Sequence, residues 1–129
     1  MIVYNSTLVD FDYDAGNRYG IGIWHGQAID EEYKKAMNFI AKLIEENKLD
    51  CWIGDMTKLE FISPELQTWT NEVWFPKVIE LGLKNIGIVV SETALARMSV
   101  NQIMLNVGDT TSKHFSNVND AKAWIADID

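Results

Sequence analysis

Residues 9–14, V-D-F-D-Y-D, alternate apolar and acidic without interruption. That period of two predicts a strand with one buried and one wet face. Ala15-Gly16-Asn17 are turn residues, and Tyr19, Ile21 and Ile23 then alternate with Gly20, Gly22 and Trp24. The pattern predicts a second strand and a hairpin. Its two glycines leave one face bare, which implies close approach of another backbone or side chain. From residue 30 to 48 the period changes: Tyr33, Ala36, Met37, Ile40, Leu43 and Ile44 fall at i, i+3, i+4, i+7 spacing, and Asp30, Glu31 and Glu32 sit at the start. This is an amphipathic helix with acids at the positive end of its dipole. Cys51-Trp52-Ile53-Gly54, an apolar run ending at Asp55, predicts a buried central strand.

A second helix is predicted over residues 64–81, closed by Gly82 and kinked or broken near Trp74-Phe75 by Pro76. Asn85 to Val90 is a further buried strand. Residues 92–107 form a helix with Ala96, Val100, Ile103 and Val107 inward, and Lys113-His114-Phe115 a short edge strand. The last helix runs over residues 117–128, with Asn117 and Asp120 as a capping box and Val118, Ala121, Ile125 and Ile128 inward. The order ββαβαβαβα predicts a single α/β domain over residues 1–129, with a mixed, mostly parallel sheet and covering helices.

Composition narrows the function classes. Among 129 residues, 19 acids against 11 Lys and Arg give a net charge of -8. Such a balance argues against nucleic acid, whose binding needs clustered cations, and against an anionic membrane surface. No run approaches the ~18 apolar residues of a membrane span, and the N-terminus lacks the basic start and apolar core of a signal peptide. Cys51 is the single cysteine, so no internal disulfide forms. The expected location is the cytoplasm.

The stretch Asp55-Met56-Thr57-Lys58-Leu59-Glu60-Phe61-Ile62-Ser63-Pro64-Glu65-Leu66 resembles a stretch close to D-L-S-G-V-E-F-I-D-S-S-G-L in the STAS domain, the fold of bacterial anti-sigma-factor antagonists. The match covers the Asp, the hydroxyl residue at Thr57 and the run Leu59 to Ile62. The chain is also similar to the bacterial STAS/SEC14-like small proteins. It shares their W-x-G (Trp24-His25-Gly26), their aromatic second helix followed by G-L-K (Gly82-Leu83-Lys84), and a Phe115-Ser116 step before the last helix. The resemblance implies a STAS-like fold and a role in binding either a partner or a lipid-like ligand. It also carries a departure. The antagonists' phosphorylatable serines fall on Pro64 and Glu65, neither of which accepts a phosphate, so the phospho-switch is not expected.

Ser63-Pro64-Glu65 is sound helix-start chemistry: a capping hydroxyl, a proline at the first position, an acid in the first turn. The competing readings are an anion site, which Glu65 would oppose, and a Glu65 that imitates phosphoserine. Asp55 ends a strand where ligand sites of α/β sheets lie, and a loop-capping role is the alternative. Trp52 and Trp124 are expected in the core. Trp69, Trp74 and Phe75 make a broad apolar sector on the proline-kinked helix, with Leu66 and Val73 on the face of Trp69. That sector is either core wrapped by a bent helix or an exposed patch for a dimer, a partner or an apolar ligand.

His25, His114 and Cys51 show no metal-ligand spacing, Ser63 has no nucleophile-elbow setting, and Gly20-Ile21-Gly22 lacks the helix opening of a dinucleotide site. No cofactor or metal is called for. The expectation is a non-enzymatic binding or regulatory module that acts on a protein partner or as a homodimer. Its candidate residues are Asp55, Thr57, Ser63, Glu65, Trp69, Trp74 and Phe75. The alternative is a carrier or sensor of a small apolar or lipid-like ligand near the second and third helices; an enzyme is the weakest reading.

Overall fold

The computed structural model describes residues 2–5, 8–14 and 19–128. Six strands lie side by side in chain order: β1 (Ile2–Asn5), β2 (Val9–Asp14), β3 (Tyr19–Ala28), β4 (Cys51–Ile62), β5 (Asn85–Val89) and β6 (Thr111–Phe115). The first three pair antiparallel and β3 to β6 pair parallel. The sheet is therefore mixed and mostly parallel, as expected, with one more strand than the sequence pattern predicts. Strands β2 and β3 pair as a hairpin would, with Asp14 opposite Tyr19; the turn expected at Ala15-Gly16-Asn17 lies outside the described residues.

Helix α1 (Glu31–Asn47) joins β3 to β4. Asp30 caps it by accepting the Glu32 N–H at 3.0 Å, and Tyr33, Ala36, Met37, Ile40 and Ile44 are buried along its inner stripe. Between β4 and β5 run α2 (Pro64–Trp69), a π turn (Thr70–Trp74) and α3 (Phe75–Glu80). Helix α4 (Ala94–Met104) leads to β6, and α5 (Val118–Ala126) ends the chain. Each parallel strand is added on the same side of the last, and right-handed crossovers then carry their helices to one face of the sheet. There α1, α3 and α4 enclose the main core with Phe11, Trp24, Trp52, Ile86 and Ile88. Helix α5 covers the opposite face, over Cys51, Ile53 and Val89.

The bare glycine face of β3 belongs to the main core. A side chain at Gly20 would overlap the Trp52 ring, and one at Gly22 would crowd Phe11 and Trp24 at 3.2 Å. The glycines thus make room for an aromatic layer in which Phe11 meets Trp24 and Trp52 edge-on, at 6.2 and 5.9 Å between centroids.

Candidate functional site

Strand β4 does not end at Asp55. It continues to Ile62, and its pairing with β3 skips between Ile23↔Asp55 and His25↔Lys58, so a bulge sits at Met56-Thr57. Asp55 holds that bulge: its Oδ1 accepts the Thr57 hydroxyl at 2.7 Å and the Thr57 N–H at 3.1 Å. The structure thus engages the Asp55 carboxylate in its own backbone turn, the loop-capping alternative. Ser63 caps α2, its Oγ accepting the Leu66 N–H at 3.4 Å, with Pro64 in the first turn. Glu65 follows, exposed.

The aromatic residues of the same segment separate. Trp69 is half-buried, edge-on to Tyr33 at 6.1 Å, with the Lys34 ammonium 5.7 Å above its ring. Trp74 and Phe75 are each only 2% exposed, so they form no exposed patch; of the two expectations the core one holds. Trp74 Nε1 donates to the Met37 carbonyl of α1 at 2.7 Å, which satisfies its one polar atom inside the core. Val73, expected to share a face with Leu66 and Trp69, is 49% exposed.

The π turn causes this rearrangement. Buried Leu66, Thr70, Trp74 and Val78 recur every fourth residue, slower than the 3.6 of an α-helix. A turn closed by a bond five residues back, here Phe75 N–H to the Thr70 carbonyl, restores their phase. It also brings Pro76 to the start of α3, where a missing N–H is tolerated. Thr70 Oγ donates to the Leu66 carbonyl at 2.7 Å, leaving Tyr33 to donate its phenol proton to Thr70 Oγ at 2.7 Å. Burial pushes the Tyr33 phenol well above its ordinary value. Asn71 Nδ2 donates to the Ile103 and Asn106 carbonyls at 2.8 and 2.7 Å, tying the π turn to the end of α4.

Between this turn, the sheet and α4 lies a partly open cavity of about 40 Å³. Trp74 and Phe75 form one wall, Trp24 and Trp52 the sheet side, Val100 and Ile103 the α4 side, and Met37, Met56 and Met104 the remaining corners. The lining is almost wholly apolar. On a scale of about 10–15 Å³ per water there is room for roughly three water-sized molecules. Such a space takes an uncharged apolar guest more readily than water, and thioether side chains adapt to a guest's shape. Strand β5 and, on β4, Trp52, Gly54, Met56 and Ile62 form its sheet side; Asp55, Thr57, Ser63 and Glu65 lie outside the lining. The sequence pattern puts Tyr33 and Met37 on the inner stripe of α1 without marking them as cavity residues, and it overlooks Thr70, Met56 and Met104; for Thr70 the available signal was the four-residue spacing from Leu66 to Val78.

His25 Nε2 lies 3.4 Å from Asp10 Oδ2, both half-buried. No three His, Cys, Asp or Glu among the described residues could hold a metal ion, and no helix among them is long and apolar enough to cross a membrane.

No family model and no curated protein matches this chain. A solved structure does: the crystal structure of an uncharacterised protein from the DUF3478 family with a SpoIIAA-like fold, from Shewanella loihica PV-4. It covers 95% of this chain and 98% of its own, with a TM-score of 0.55 and 15% sequence identity. The fold is therefore SpoIIAA-like, in agreement with the STAS-like architecture that the sequence resembles.

Proposed function

We propose that this SpoIIAA-like chain is a non-enzymatic binding module that takes a small, uncharged, apolar molecule into the cavity between its sheet and α4. The observation that carries the reading is the cavity itself, apolar, partly open and cornered by three methionines. Its size sets the ligand class. Cavities that hold benzene are about 150 Å³, so at about 40 Å³ this one admits such a guest only as Met37, Met56 and Met104 yield. A long acyl chain is outside its range.

The test uses the three tryptophans at the cavity wall as reporters. Bromobenzene should quench tryptophan fluorescence saturably, and palmitate should not. Val100→Phe fills the space from α4 and should abolish saturation while the fold, read by circular dichroism, persists. Equal, unsaturable quenching in both proteins overturns the proposal. Saturable quenching by palmitate alone would replace it with the acyl-carrier reading.

The partner-binding reading draws on a different observation. Thr57, Lys58 and Glu65 are exposed in the stretch that aligns with the regulatory segment of the antagonists. Glu65→Gln should weaken a partner's binding if Glu65 acts as a fixed charge there; an unchanged interactome would remove that role.

A further inference from the structure

Among the described residues nothing covers the outer face of α4. Leu95, Met98 and Leu105 are 55%, 64% and 77% exposed, while the inner stripe of Ala96, Ser99, Val100 and Ile103 is buried. Leu105 continues the helix, with backbone angles of φ -68° and ψ -21°. Leu95, Met98, Gln102 and Leu105 follow one another at steps of three, four and three. That is the spacing of a coiled-coil seam, on the side of the helix turned away from its own core.

Charge distinguishes this face from the other helical faces. The chain carries 19 acids, yet Thr93 to Gly108 contains none. The exposed surfaces of the other helices carry carboxylates: Glu45 and Glu46 on α1, Glu65 on α2, Glu80 on α3, Asp120 on α5. Two copies of a chain of net charge -8 that met through those helices would oppose carboxylates. Through α4 itself they would oppose none, the nearest acids being exposed Glu92 and Asp109 beyond its two ends. An anionic lipid surface is repelled by the same net charge and finds only Arg97 on this helix, whose guanidinium already donates to the Ser91 and Glu92 carbonyls at 3.2 and 2.9 Å.

We propose that two copies of this chain pair through the outer stripe of α4, antiparallel about a twofold axis near residue 100. Opposed helix dipoles favour that direction over the parallel one. The symmetry sets Leu95 against Leu105 of the second copy and Met98 against Gln102. A seam of one 11-residue helix falls short of the ~1,600 Å² of a standard interface, so the pairing is concentration-dependent. The seam uses none of the residues that line the cavity, and it stands or falls independently of the ligand proposed above.

Sedimentation equilibrium from micromolar to millimolar protein tests it. The wild-type mass should rise from monomer to dimer, and Leu95→Lys or Leu105→Glu alone should raise the dissociation constant at least tenfold. The double variant, Leu95→Lys with Leu105→Glu, should recover dimerisation, because an antiparallel pair sets each new lysine against a new glutamate. Both positions are exposed, so circular dichroism and the melting temperature of the monomer should not move. A monomer at every concentration overturns the proposal, as does a dimer indifferent to both single variants. Failure of the double variant to recover overturns the antiparallel geometry.

Discussion

Tyr33 shows how a single side chain records its surroundings. Its ring stands between Trp24 and Trp69, at 5.4 and 6.1 Å, and its hydroxyl reaches Thr70. Burial holds the phenol neutral, raising its ionisation above the ordinary 10.0. The linkage follows from the sign of that shift. A group whose folded value is raised contributes a stability that is constant below the unfolded value and lost as the pH rises past it. Stability should therefore fall above about pH 10. In a spectrophotometric titration at alkaline pH, the Tyr33 phenolate should appear only together with loss of the fold. Smooth ionisation of every tyrosine in a chain whose circular dichroism stays native would contradict this. Ser63 teaches a plainer lesson: serine, proline and glutamate in sequence are enough to read a helix start, and the structure gives Ser63 that capping role.

At the scale of elements, periodicity made most helices and strands legible. The inner positions of α1 were readable because seven buried residues keep an α-helical period. The segment from Pro64 to Glu80 was readable as helix, but where a kink or break was expected near Trp74-Phe75 the chain makes a π turn over Thr70–Trp74, and the phase was not readable. Counting by 3.6 set Val73 on the face of Leu66 and Trp69 and overlooked Thr70, because the turn that holds both is wider than the period assumed. Strand β1 escaped for another reason. Four residues are too few to show alternation, and β1 owes its identity to pairing with β2. The link between the π turn and Pro76 can be measured. Deleting exposed Val73 should close the turn to an α one and return Pro76 to a helix interior, at a cost of about 3 kcal/mol. Adding Pro76→Ala to the deletion should recover most of that loss in urea denaturation, whereas Pro76→Ala alone should change little. Equal effects of the proline change in both backgrounds would uncouple the two features.

For the whole molecule, the strand order determines which face is thick and which is thin. Strands added in one direction leave α1, α3 and α4 together on one side and α5 alone on the other. Cys51 lies under that single helix, 3% exposed. Its thiol should react with a disulfide reagent only as fast as α5 lifts or the chain unfolds. Trp124→Ala, which removes the ring packed on Phe115 at 5.5 Å, should accelerate labelling; an unchanged rate would mean that α5 does not guard the thiol. The cavity was not legible beforehand for a reason of the same scale. Its walls come from β3, α1, β4, the π turn, α3, β5 and α4, and no local pattern announces a space assembled from seven elements.

The π turn also bears on descent. It is one residue inserted into an otherwise α-helical segment, on the exposed side, at a place the fold can absorb. A relative that packs the same helix with α turns throughout would be one residue shorter between Ser63 and Gly82. Before Thr70 the two chains would align in one register, and after Trp74 in another. An ungapped comparison would then set Trp74 and Phe75 against the wrong partners, so shared ancestry would survive in the shape of the cavity wall after it had faded from the letters.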